Sequence, residues 1–244
     1  VRYGRHGQPT EFSCFDSEGR PATFQKTGAA RFVAEHDDRG RETRFSFFGA
    51  DEKPTATADG YASRTTTYDD RGNVVEEAFF GVDGKPTLHK EGYALTRARY
   101  DKRGRRVEVS YFGLQGEPTL NAEGNASYRT SYDDRGFASA KDYLGLDGRP
   151  TLQRKGYAGI RFKRDPRGNV LEQTTVGVDG GPTLTADGYA TQRSRYDRHD
   201  RAVENSYLGK EGRLVLRSDG YASQINRYDE RGHLVEATHF GIDG

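Results

Sequence analysis

The sequence predicts an all-β fold, a tandem-repeat antiparallel β-hairpin solenoid of about 32 residues per repeat, drawn out as a rod-like or spiralling sheet. Three observations lead there. A Tyr-Asp-x-x-Gly segment recurs at Tyr68, Tyr100 and Tyr132, spaced 32 residues each time, and again at Tyr228, while its Tyr-Asp pair returns at Tyr196. Two further motifs recur in the same register. One is Gly-x-x-Gly-x-Pro-Thr-Leu, at Gly81–Leu88, Gly113–Leu120, Gly145–Leu152 and Gly177–Leu184. The other is Gly-Tyr-Ala, ending at Ala62, Ala94, Ala158, Ala190 and Ala222. Between the motifs lie short stretches that alternate with a period of two, the signature of strands.

Within one repeat, the first strand runs from Tyr93 to Tyr100. Alternation puts Ala94, Thr96, Ala98 and Tyr100 on a face expected to pack. Tyr93, Leu95, Arg97 and Arg99 fall on a face expected to be largely wet. The turn follows. A type I turn closed by a left-handed residue calls for Gly at its last position, and the aspartate after the tyrosine can accept turn amides. The residues assigned to this turn are Asp69 and Gly72, Asp101 and Gly104, Asp133 and Gly136, and Asp229 and Gly232. Asp200 stands once in the glycine's place, which aspartate tolerates.

The second strand, Arg106 to Phe112, ends on two adjacent apolar residues, as do Phe79-Phe80, Tyr143-Leu144 and Tyr207-Leu208. Neighbours on a strand face opposite sides, so both sides carry apolar surface there. The loop from Gly81 to Glu91 is expected to cover the second side, anchored by Leu88 and its equivalents Leu120, Leu152, Leu184 and Leu216. A glutamate column (Glu11, Glu76, Glu108, Glu172, Glu204, Glu236) faces arginines on neighbouring strands, and such pairs set register more than they add stability. With two strands per repeat, each repeat advances the sheet by roughly 10 Å.

Residues 1–244 read as a single array of about 7.6 repeats, 244 residues at 32 apiece. The turn motifs begin at Tyr3, His36, Tyr68, Tyr100, Tyr132, Arg164, Tyr196 and Tyr228, the first needing one inserted residue between Pro21 and Gly28. The chain opens inside one motif and closes inside another, at Gly241–Gly244, so it is expected to be a window of a longer array. Open sheet ends invite end-to-end self-association.

Only 32% of residues are hydrophobic against 31% charged, yet 15 Tyr and 13 Phe set the chain apart from disordered sequences and imply a thin core spread along a repetitive fold. With 38 basic and 37 acidic residues and no basic patch, nucleic acid is not expected as a partner. No apolar run is long enough for membrane insertion by a helix. The lone Cys14 gives no disulfide framework and reads as a half-buried member of the second strand's aromatic column.

Nothing in the sequence reads as an enzyme active site. The histidines (His6, His36, His89, His199, His233, His239) sit in different columns without a recurring ligand spacing, so no metal and no cofactor are expected. Asp69, Asp70, Asp83, Asp147 and Asp179 sit singly or in pairs beside turn glycines and read as turn formers, since calcium loops alternate several ligands. One feature offers a ligand site. The tyrosine column Tyr61, Tyr93, Tyr157, Tyr189 and Tyr221 resembles the aromatic ladders of hairpin-repeat cell-wall binders, and glycans are its candidate ligand, with cross-strand packing as the competing role.

The Tyr-Asp-x-x-Gly motif resembles the bacterial YD repeats of the RHS and teneurin-like proteins, over the hairpin half of every repeat. That resemblance implies β-hairpins laid side by side in large secreted or surface-associated bacterial proteins, some of which wrap a toxin domain in a shell. The period here is longer than a short YD unit, and the two added motifs favour a more compact solenoid. The expected function is that of a structural repeat protein, an extracellular or cell-surface fibre, stalk or scaffold. A glycan-binding module and an RHS-like shell carrying an effector domain elsewhere in its chain are the alternatives.

Overall fold

The computed structural model describes residues 1–5, 7–24 and 27–243, and among them every regular element is a β-strand. The chain divides into two compact bodies, Val1–Ala122 and Glu123–Gly244. The first holds β1 (Arg2–Tyr3), β2 (Pro9–Ser13), β3 (Arg31–His36), β4 (Glu42–Phe48), β5 (Ser63–Tyr68), β6 (Val74–Phe80), β7 (Leu95–Tyr100) and β8 (Arg106–Phe112). The second holds β9 (Ser127–Tyr132), β10 (Ala138–Leu144), β11 (Gly159–Arg164), β12 (Val170–Val176), β13 (Thr191–Tyr196), β14 (Ala202–Leu208), β15 (Ser223–Tyr228) and β16 (Leu234–Phe240). Within each body every strand pairs antiparallel with the next in the chain. This is the tandem hairpin sheet that the periodicity predicts.

Each hairpin pairs along its whole length, whereas neighbouring hairpins share only the outer half of their strands. Between β5 and β6 the register runs from Ser63↔Phe80 to Tyr68↔Val74, with a bulge beside Tyr68. Between β6 and β7 it covers only Glu76↔Arg97 to Ala78↔Leu95. The bulge adds twist at the turn end, and the same irregularity beside Tyr100, Arg164, Tyr196 and Tyr228 repeats it.

The segment between hairpins is a pair of further tight turns. The Gly81 N–H donates to the Lys85 carbonyl at 2.8 Å, and Thr87 N–H returns to Phe79 at 3.0 Å. Pro86, which has no N–H, sits at the isolated bridge to Phe80 where none is needed. The third turn closes as His89 N–H donates to Tyr93 at 2.7 Å. The three glycines of one repeat, Gly72, Gly84 and Gly92, all have positive φ, so the three motifs are three versions of one turn. Successive third turns are tied together where Lys90 N–H donates to Asp59 and Ala122 N–H to Glu91, both at 2.7 Å.

Packing departs from the sequence expectation in two places. Leu88, Leu120, Leu152, Leu184 and Leu216 are 43–52% exposed, so they do not anchor the loops. The second side is covered instead by arginine side chains lying across the phenylalanines, with Arg31 over Phe48 at 5.1 Å, Arg44 over Phe80 at 5.5 Å and Arg97 over Phe112 at 4.8 Å. Tyr93, assigned by alternation to the wet face, joins the packed one. It precedes β7 and leaves the third turn, so strand alternation does not govern it. Its ring lies 5.9 Å from Phe79 and 4.9 Å from Tyr111.

Candidate functional site

Two linear features run along the repeats, a ridge of turns and an aromatic column. In the ridge, Asp69 Oδ1 accepts the amides of Arg71 at 3.0 Å and Asn73 at 2.8 Å. Asp101 accepts those of Arg103 and Arg105, Asp229 those of Arg231 and His233, and Asp133 that of Phe137. These bonds favour the charged carboxylate. The Asn73 side chain is the strongest influence lowering Asp69, and the Arg105 amide the strongest on Asp101. At Asp197, desolvation pushes the carboxyl up, but the Arg201 guanidinium and the Arg201 and His199 amides outweigh it and hold it at about 2. Asp83, Asp147 and Asp179 play the same part in the second turn, each accepting the amide two residues on.

The tyrosine of the Tyr-Asp motif does more than open the turn. Tyr68 O–H donates to the Glu42 carbonyl at 2.8 Å, Tyr100 to Val74 at 2.9 Å, Tyr196 to Val170 at 3.1 Å and Tyr228 to Ala202 at 2.9 Å. Every acceptor lies 26 residues earlier, at the start of the preceding repeat's second strand. Where the motif carries Arg164, its Nε–H reaches the equivalent Ala138 carbonyl at 3.4 Å. The turn arginines add a second tie. Arg39 reaches the Asp70 carbonyl, Arg71 that of Lys102, Arg135 that of Asp165 and Arg167 that of Asp197, at 2.7–3.0 Å. Neither tie is foreseen by alternation or turn chemistry, although the arginine stands before the turn glycine in most copies.

The column begins with Phe24, Phe32, Phe45 and Phe47 and continues through Tyr61, Phe79, Tyr93 and Tyr111 with centroid spacings of 4.8–5.9 Å. Tyr61 is 8% exposed and Phe79 4%. Tyr157, Tyr189 and Tyr221 are half-buried in the second body, where Tyr207 packs between the last two at 4.9 and 5.8 Å. Burial pushes up the phenols of Tyr61, Tyr189 and Tyr221, and that of Tyr93 to about 12 with help from Glu77 and Glu91. The five predicted ladder residues are thus largely packing partners of one another's neighbours. The exception is at Thr175, where the second-strand ring is missing between Tyr157 and Tyr189.

The histidines do not converge. His89 stacks between Tyr61 and Tyr93, His239 lies 4.3 Å from Tyr221, and His199 and His233 are exposed in turns. His6 lies outside the described residues. Among the described residues no three His, Cys, Asp or Glu side chains are placed to share a metal, and Cys14 is a half-buried free thiol.

No family model matches the chain, and no curated protein matches it. Among solved structures it is similar to a chain of the Photorhabdus luminescens Tc holotoxin pore, at 14% identity and TM-score 0.43 over 87% of this chain and 11% of that one. It is also similar to a chain of the TcdB2-TccC3-Cdc42 crystal structure, at 14% identity and TM-score 0.40 over 94% and 12%. A third, TcdB2-TccC3 without its hypervariable C-terminal region, matches at 11% identity and TM-score 0.33 over 87% and 13%. The chain spans about an eighth of the length of these chains. At such levels of superposition the likeness decides neither fold nor function.

Proposed function

We propose that this chain is a structural repeat scaffold, an extension module of an extracellular or cell-surface fibre or stalk, without catalytic activity of its own. The observation that carries this reading is the recurrent tie from the Tyr-Asp position to the carbonyl 26 residues earlier, kept by a different side chain at Arg164. Each tie joins one hairpin to the one before it. Such a chain gains length by adding hairpins, each stabilised by its neighbours alone. The bacterial surface location rests on the YD-repeat resemblance of the turn motif.

Electron microscopy of the full-length native protein, with antibody labelling of intact cells, tests the reading. Surface-labelled filaments or stalks with an axial advance near 10 Å per repeat are the expected result. Closed shells around a separate domain, or label confined to the cell interior, would overturn it.

A further inference from the structure

The aromatic column lacks its second-strand ring at Thr175, and three features of the chain meet there. In the sibling positions a ring fills the space between consecutive tyrosines, Phe79 between Tyr61 and Tyr93 and Tyr207 between Tyr189 and Tyr221. A third-turn side chain then caps each ring. His89 stacks on both Tyr61 and Tyr93, and the Arg217 guanidinium lies 4.6 Å from the centre of Tyr207. Between Tyr157 and Tyr189 both fillers are small, with Thr175 in the ring position and Thr185 in the cap position. The loops also part here. The amide tie between successive third turns, made at Lys90, Ala122, Arg154 and Ser218, is not made between Ala186 and Lys155.

The result is an open cleft of about 340 Å³ lined by Lys155, Tyr157, Gln173, Thr175, Asp187 and Tyr189 among others. That is within the size range of small-ligand sites. Its floor is fixed, because Thr175 is 3% exposed and its hydroxyl donates to the Thr183 carbonyl at 2.7 Å. Its rim is uncommitted. The Gln173 amide, the Lys155 ammonium and the phenol hydroxyls of Tyr157 and Tyr189 make no hydrogen bond within the described chain, while Asp187 Oδ1 accepts only a long 3.5 Å bond from Ser218.

We infer that this cleft binds one pyranose residue of a neutral glycan, seated between Tyr157 and Tyr189 on Thr175. The chemistry matches in each part. Two tyrosine rings about two strand spacings apart leave room for a single ring whose C–H faces are apolar. The amide, ammonium, carboxylate and phenols around it supply both donors and acceptors for ring hydroxyls. One cation and one anion at the rim leave it without net charge, which suits an uncharged sugar better than a phosphate or a carboxylate. The inference goes beyond the scaffold reading and does not depend on it.

The test titrates the full chain with methyl pyranosides of glucose, galactose and N-acetylglucosamine and with their β-linked trisaccharides, read by saturation-transfer NMR and calorimetry. Binding of at least one series is expected. Thr175→Tyr, which rebuilds the ring that Tyr207 supplies next door, should weaken it at least tenfold, while Phe79→Tyr at a filled position leaves it unchanged. Gln173→Ala, which removes a rim group and leaves the floor intact, should also weaken binding, and decides the matter if the tyrosine variant does not fold. Absence of binding to all six sugars would overturn the assignment. So would binding indifferent to both cleft variants, or a cleft that takes p-cresol and none of the sugars.

Discussion

At the residue scale, most of the fold is written in short-range chemistry, and its weak points are the residues that break the local rule. Glu52 and Asp200 are the non-glycine residues with positive φ among those described, each at 60°. Both stand where other repeats have glycine. Asp200 recovers something, since it accepts from Asn169 and pairs with Arg167 at 2.9 Å. Glu52 makes no such contact, so Glu52→Gly is expected to stabilise the protein by up to about 1 kcal/mol, measured as a rise in the urea midpoint. The tie of Tyr196 to the Val170 carbonyl is a single neutral hydrogen bond. Tyr196→Phe keeps the ring and loses the bond, and equilibrium unfolding should register a loss of about 1 kcal/mol.

At the scale of the element, the hairpin and its aspartate turn were legible because their signals are local. The Asp69 and Gly72 pair, with period-two alternation on either side, dictates strand, turn and strand with no tertiary information. What lay hidden depends on where side chains reach after the chain has turned. The loop leucines look like anchors in sequence, yet Arg44 and Arg97 reach across the sheet first and leave those leucines in solvent. Tyr93 breaks alternation because it belongs to a turn. The cleft at Thr175 is a missing ring, and it shows only once the neighbouring rings are known to touch. The glutamate column does meet its arginines, as Glu172 pairs with Arg193 at 3.0 Å and Glu76 with Arg97 at 2.9 Å, but such solvent-facing pairs contribute about 0–1 kcal/mol each.

The turns also set the acid response. The aspartates at 37, 69, 101, 133, 165, 197 and 229 all have carboxyls held below the ordinary value of 3.8 in the folded chain, Asp197 at about 2. A depressed folded pKa gives stability that is fully present above the unfolded value and is lost as pH falls through the folded one. Thermal midpoints should therefore hold steady from pH 7 to about 5 and decline between about pH 4 and 2. A replacement of Asp197 by Asn should lower the midpoint at pH 7 and flatten that decline.

At the scale of the molecule, the central claim is that the repeats are interchangeable parts, each joined to its neighbour within a body chiefly by the tie from the Tyr-Asp position. Deleting residues 157–188 tests it most directly, because Gly156 would then be joined to Tyr189 with every column restored to register. The account predicts a chain that keeps its β circular dichroism and melts cooperatively, at a midpoint no more than modestly lower, while removal of half a repeat, 157–172, abolishes cooperative melting. Loss of the folded state on removing the whole repeat, or equal tolerance of both deletions, would contradict it.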